Sequence, residues 1–207
     1  MNFVVTGAAG FIGSKLSSYL IAQGNKVIGI DNLNDSYSTY MKEWRLKALL
    51  EATNFTFHMA DITDYNSMEQ ILSSETIDAV FNLSARVGVR QSLDKPALYY
   101  ETNVMGTIIL LELCKKYNIR RFVLASTSSI YGNTQLPFKE DSVSDRPISP
   151  YAASKRSAEI LGYTYHNIHD LDISILRYFT VYGPAGRPDM SIFRFIRQIS
   201  EGKPLCI

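Results

Sequence analysis

Residues 149–155 read Ser-Pro-Tyr-Ala-Ala-Ser-Lys. On a helix, Tyr151 and Lys155 stand one turn apart on one face. A free phenol, with a pKa of about 10, is a poor base at neutral pH, but a fixed ammonium beside it favours the phenolate. The pair can therefore move a proton to and from a hydroxyl. Upstream lies a hydroxyl-rich run, Ser126-Thr127-Ser128-Ser129-Ile130-Tyr131-Gly132. At the start of the chain, Gly7-Ala8-Ala9-Gly10-Phe11-Ile12-Gly13 can cradle a diphosphate. Gly7 permits a tight turn, Gly10 a close backbone approach, and Gly13 close helix–strand packing, with the helix amides facing the phosphates. Its spacing is one residue wider than the usual G-x-G-x-x-G.

These groups need elements to hold them. Residues 2–6 read as a buried strand before the glycine turn, and 14–23 as a helix with Leu16, Leu20 and Ile21 on one side. A second strand, Lys26–Ile30, leads into Asp31, 18 residues beyond Gly13. That carboxylate can accept from a ribose 2′-hydroxyl and repel a 2′-phosphate, which favours NAD over NADP. Further strands are predicted at 55–58, 79–83, 121–125 and 173–177, and helices at 36–51, 65–73, 96–117, 150–168 and 190–201. The alternation predicts a parallel sheet with helices on both faces and ligands beyond the strands' carboxyl ends. Asp61-Ile62, residues 83–86, 126–129 and 178–180 fall at those ends. Helix 96–117 is apolar on two sides (Leu98, Val104, Ile108, Ile109, Leu110, Leu111, Leu113), which predicts a partner subunit.

Composition fits a globular domain: 46% hydrophobic, with a net charge of +1. Near-neutrality gives no reason to invoke nucleic acid or a membrane surface. Two cysteines, Cys114 and Cys206, make no disulfide framework, and the first strand begins at residue 2. The expectation is a cytoplasmic, reduced protein without signal peptide or membrane span. His58, His166 and His169 lack metal-ligand spacing, so no metal is expected.

Taken in order, the glycine turn, Asp31, Asp61-Ile62, Leu83-Ser84-Ala85, Asn103, the hydroxyl run and Tyr151/Lys155 resemble the extended short-chain dehydrogenase/reductases, the nucleotide-sugar epimerases and dehydratases. The resemblance covers the whole chain. It implies an α/β, Rossmann-like doubly wound parallel sheet over 1–207, with the substrate domain largely absent because family members are longer. It implies that Gly7, Gly10, Phe11, Ile12 and Gly13 hold the NAD pyrophosphate, Asp31 and Asn32 the adenosine ribose, and Asp61 and Ile62 the adenine. Leu83, Ala85 and Arg86 would line the nicotinamide side, and Asn103 and Tyr178 would join the cofactor site. Tyr151 would be the base, Lys155 would bind the nicotinamide ribose and depress the tyrosine pKa, and Thr127 would complete the triad. A homodimer through a four-helix bundle of helices 96–117 and 150–168 is also implied.

Two segments narrow the resemblance. The 4,6-dehydratases carry Asp-Glu after the triad threonine and the uronate decarboxylases a nearby glutamate; here stand Ser128 and Ser129, so no acid is available for elimination. Residues 177–190, Arg-Tyr-Phe-Thr-Val-Tyr-Gly-Pro-Ala-Gly-Arg-Pro-Asp-Met, resemble uronate 4-epimerases, whose substrate is UDP-glucuronate. UDP-glucose 4-epimerases usually carry asparagine at Thr180. A hexuronate carboxylate suits a guanidinium with hydroxyls around it, and Arg187, Thr180, Ser128 and Ser129 are the candidates. Arg86 departs from the glutamine usual in uronate epimerases. Two further readings stay open: a truncated, catalytically silent NAD-binding or dimerising module, and a UDP-glucose 4-epimerase.

Overall fold

The computed structural model describes residues 1–205; Cys206 lies outside them. Six strands, β1 (Asn2–Thr6), β2 (Lys26–Asp31), β3 (Phe55–Met59), β4 (Ala79–Asn82), β5 (Arg121–Thr127) and β6 (Asp172–Tyr178), form one parallel sheet in the order 3-2-1-4-5-6. Most of these strands are near-continuous apolar runs because both faces of the sheet are covered. Successive side chains alternate between two cores. Val4, Ile28 and Val80 pack with Met68, Leu110, Leu111, Phe122 and Leu124, whereas Val5 and Val27 pack with Leu20, Leu46, Leu49 and Phe55.

Among the described residues eight α-helices accompany the sheet: α1 (Phe11–Ala22), α2 (Thr39–Leu50), α3 (Tyr65–Ser73), α4 (Val89–Asp94), α5 (Pro96–Tyr100), α6 (Gly106–Lys116), α7 (Pro150–His169) and α8 (Ser191–Ser200). Helix α7 starts sharply, because Ser149 Oγ accepts from the Ala152 amide at 3.1 Å and Pro150 occupies the first turn. That start places Tyr151 at the carboxyl end of the sheet.

Several boundaries differ from expectation. Helix α1 begins at Phe11 rather than residue 14, because Gly10 is already its extended N-cap. Helix α2 begins at Thr39 rather than 36. Ahead of it the chain folds through side chain-to-backbone turns: Asp31 accepts from Leu33 N (2.9 Å), Asn32 from Asn34 N (3.1 Å) and Asn34 from Ser36 N (3.2 Å). The expected helix 96–117 divides into α5, a π-helical turn (Glu101–Met105) and α6. Leu110, Leu111 and Leu113 on it are fully buried in the core, so the second apolar side does not include them. Strand β5 extends two residues further than expected, to Thr127, and a 3₁₀ turn (Ser128–Tyr131) follows. Helix α4 was not anticipated. No helix among the described residues is long and apolar enough to cross a membrane.

Candidate active site

The strand order reverses direction between β1 and β4, and a cleft opens beyond their carboxyl ends. The reversal point is tied down by buried polar groups. Thr6 Oγ1 donates to Asn82 Oδ1 (2.9 Å) and accepts from the Leu83 and Ser84 amides (3.2 and 3.1 Å). Asn82 Nδ2 donates to Thr107 Oγ1 at 3.1 Å. Gly7 sits there at φ 69°, and a Cβ on it would stand 2.9 Å from the Leu83 carbonyl. A Cβ on Gly13 would stand 2.1 Å from the Gly7 carbonyl oxygen. No side chain caps the first turn of α1, whose amides open toward the cleft.

The cleft measures about 460 Å³ and gathers most of the expected site residues. Gly7, Gly10, Phe11, Ile12, Gly13, Asp31, Asn32, Asp61 and Ile62 line one part of it; Leu83, Ala85, Thr127, Ser128, Ser129, Tyr151, Lys155, Tyr178, Thr180 and Arg187 line the rest. Asp31 is buried at the end of β2, with Oδ2 accepting from the Ala9 amide (3.2 Å). Asn32 Nδ2 donates to Asp61 Oδ2 (2.6 Å). Burial pushes the Asp61 carboxyl up, but the Thr63 amide and hydroxyl and the Asn32 amide outweigh it and hold it below its ordinary range.

Two expected cofactor residues lie elsewhere. Arg86 turns away from the Tyr151 end, and its Nη1 donates to Ser36 Oγ at 2.8 Å on the loop after β2. Asn103 is 1% exposed and stands behind the cleft wall. Its side chain accepts from the Arg86 amide (2.9 Å) and donates to the Arg86 carbonyl (3.0 Å) and Ser154 Oγ (2.9 Å), so it orients the wall.

Thr127, Tyr151 and Lys155 meet at the end of β5 and the first turns of α7. Burial, the largest influence, raises the Tyr151 phenol above its ordinary value; the facing Thr127 hydroxyl and the Arg187 charge pull it back only in part. Lys155 is fully buried, which lowers its ammonium to about 8 against the pull of Glu159. The expected Lys155 charge on Tyr151 is therefore not what sets the phenol; desolvation dominates.

Ser128 and Ser129 stand in the 3₁₀ turn, with Thr127 Oγ1 accepting from the Ser129 amide at 3.2 Å. Arg187 makes a two-pronged contact with Asp189, Nε to Oδ1 at 3.1 Å and Nη2 to Oδ2 at 2.5 Å. A carboxylate in fork geometry already sits on the guanidinium that was expected to receive one.

Sequence reasoning missed four polar groups around the cleft. Lys42 Nζ lies 3.7 Å from Asp31 Oδ1, and Tyr37 and Arg45 stand beside it. Lys42 and Arg45 are three apart on a helix face, a spacing that could have marked a buried polar stripe. Glu159, four residues after Lys155, is the fourth, and that spacing was equally visible. Arg177 Nε and Nη2 fork onto it at 3.0 Å each. Among the described residues no group of acidic, histidine and cysteine side chains could hold a metal ion.

The chain matches the family model described as GDP-mannose 4,6 dehydratase over residues 4–207. It is 53% identical, over 99% of its length and 64% of the relative's, to the UDP-glucuronate 4-epimerase of Thermodesulfobacterium geofontis. The structure of UDP-glucuronic acid 4-epimerase from Bacillus cereus, in complex with UDP-glucuronic acid and NAD, superposes with a TM-score of 0.90 at 41% identity, covering 99% of this chain and 65% of that one. The UDP-glucose 4-epimerase of Thermotoga maritima, with UDP-glucose, is also similar: TM-score 0.89, 34% identity, 98% and 64% covered. The chain thus spans less than two thirds of the length of these relatives. With its reversing parallel sheet, glycine turn and Thr-Tyr-Lys cleft, it belongs to the NAD-dependent epimerase/dehydratase family of extended short-chain dehydrogenases/reductases.

Proposed function

We propose that this chain is the NAD-binding domain of a nucleotide-sugar 4-epimerase acting on a UDP-hexuronate. One observation carries the reading: Thr127, Tyr151 and Lys155 share a cleft with Ser128, Ser129 and Arg187, and no carboxylic acid follows Thr127. NAD fits the residues present. The open amides of α1 suit its pyrophosphate, and the buried Asp31 suits a ribose hydroxyl. NAD, when bound, accepts the C4 hydride and returns it.

The chain's own residues do the rest. Tyr151, as phenolate, takes the C4 hydroxyl proton and later gives it back to the oxygen of the transient 4-keto sugar. Thr127 donates to that oxygen and holds it in place. Lys155, largely protonated at pH 7, supplies the positive charge that the phenolate needs. Arg187 releases Asp189 and takes the substrate carboxylate, with Thr180, Ser128 and Ser129 around it. Ser128 and Ser129 cannot act as the acid for an elimination, so the keto sugar turns and is reduced on its other face.

The reading also includes the cytoplasm, consistent with the buried Cys114, which forms no disulfide among the described residues, and a homodimer. Exposed Tyr100, Met105, Ile160 and Tyr163 on α5, the π turn and α7 favour that dimer. The test is interconversion of UDP-glucuronate and UDP-galacturonate by the full gene product, with wild type and Tyr151→Phe compared. Loss of a general base costs about 10²–10⁴-fold in kcat. Retention of more than about a tenth would remove Tyr151 from the role. NAD binding without turnover would favour the silent module. Turnover of UDP-glucose at equal efficiency would favour the neutral-sugar epimerase.

A further inference from the structure

Arg45 is 5% exposed on α2, outside the triad and the glycine turn, yet all five of its N–H donors are used. Nε and Nη2 both donate to the Ala185 carbonyl (3.1 and 2.9 Å), and Nη2 also to that of Gly186 (3.3 Å). Nη1 donates to the Ala9 carbonyl of the glycine turn (3.2 Å) and to the Tyr37 hydroxyl (2.7 Å). One buried guanidinium thus bridges the cofactor turn and the loop that carries Arg187, 140 residues away.

The bridged loop needs holding. Ala185 has φ 61°, a left-handed conformation that a residue with a Cβ rarely adopts. The Arg187 guanidinium carbon stands 5.8 Å from the centre of the Tyr37 ring, whose hydroxyl accepts from Arg45 Nη1. The contacts close into a circuit: Ala9, Arg45, the Ala185–Gly186 carbonyls, Arg187, Tyr37, and Arg45 again. Burying a charge is costly unless its hydrogen bonds are met, and here three of the five fall on the loop that carries Arg187, while the other two anchor the guanidinium to Ala9 and Tyr37.

We infer that Arg45 is a positioning residue that sets the selectivity of the cleft for a charged sugar: it locks residues 183–187 onto the cofactor turn so that Arg187 faces the substrate carboxylate. This rests on the function proposed above. An ammonium keeps the charge but has three donors in tetrahedral geometry and cannot serve five bonds in one plane. Arg45→Lys therefore separates positioning from charge.

The test measures kcat/KM for UDP-glucuronate and UDP-glucose in wild type, Arg45→Lys, Arg187→Ala and the double variant of the full gene product. Arg45→Lys lowers the preference for the charged sugar about tenfold, mainly through KM, the size of one charge-assisted bond. On the Arg187→Ala background it lowers that preference no further. A loss shared equally by both sugars, or a repeated drop in preference on the Arg187→Ala background, would overturn the inference. A second arm does not depend on turnover. Amide hydrogen exchange of residues 183–187 accelerates at least about tenfold in Arg45→Lys while β1 and β5 keep their protection. Unchanged exchange at 183–187 overturns the clamp. If the wild type turns over neither sugar, the functional reading fails and the exchange arm alone judges the clamp.

Discussion

Lys155 carries the largest electrostatic tension in the cleft. Its ammonium sits in the interior at about 8, against 10.5 when free. Between those values the unfolded chain still holds the proton that the folded chain has released, so this group makes stability rise with pH across that window. The difference is on the order of 3 kcal/mol. Lys155→Met has no such group, and its stability relative to wild type should fall as pH is raised from 7 to 10.5; urea midpoints at the two values check this. The counter-charge behind Lys155 is Glu159. Burial alone would raise its carboxyl, but the Arg177 fork, Ser126 and Arg156 hold it low. Glu159→Gln leaves Arg177 without its anion and should cost about 3 kcal/mol, the low end for a broken buried pair because Arg177 still donates to the Tyr131 hydroxyl and the Glu140 backbone carbonyl. At this scale, Tyr151, Lys155, Asp31 and Arg187 were legible because their residue types name a chemistry. Lys42, Arg45 and Glu159 were not, because a charged residue on a helix reads as solvated until the fold buries it. Arg86 was expected on the nicotinamide side, whereas its side chain reaches Ser36 on the loop after β2, because a backbone position says nothing about which way a long side chain extends.

Among the elements, the contact between β1 and α1 tolerates the least change. Alanine is favoured over glycine in a helix by about 1 kcal/mol. At Gly13 the clash wins, because the added carbon would stand 2.1 Å from a backbone oxygen that cannot turn aside. Gly13→Ala should therefore lower stability by about 1–3 kcal/mol net and weaken NAD binding, as calorimetric titration and thermal unfolding would show. Restoration of full affinity in that variant would mean that the helix can shift without disturbing the phosphate cradle. The strands and long helices were legible here because strand runs and helical periodicity differ in kind. The π turn at 101–105 was not, since one extra residue per turn leaves no mark on an apolar pattern. It matters because Asn103 lies on it and reaches both Arg86 and Ser154. The helix-to-loop change before Thr39 was hidden for another reason: Asn and Asp turns compete locally with the helix, and only their bonds to Leu33, Asn34 and Ser36 decide the outcome.

At the scale of the molecule, two groups of apolar side chains are exposed. One comprises Tyr100, Met105, Ile160 and Tyr163. The other is on α8, where Ile192, Ile196 and Ile199 recur at helical spacing and no residue is buried. If the first is the dimer face, Tyr163→Lys with Met105→Lys should shift sedimentation at micromolar concentration toward the monomer with the unfolding midpoint nearly unchanged. Leu111→Asp makes the contrasting control, since Leu111 is fully buried and a charge there should unfold the chain. The doubly wound architecture was legible from the alternation of elements, whereas the division of helix 96–117 between core and surface required the packing itself. The sheet order 3-2-1-4-5-6 also bears on how the chain is made. Of these six strands the first to leave the ribosome is a central one, β2 and β3 add outward on one side, and β4, β5 and β6 then add outward on the other. Each new strand meets a neighbour that already exists, and none has to insert between two formed strands. Synthesis from the amino terminus can therefore build this sheet in the order in which it is translated, with the second side of β1 left open until β4 arrives.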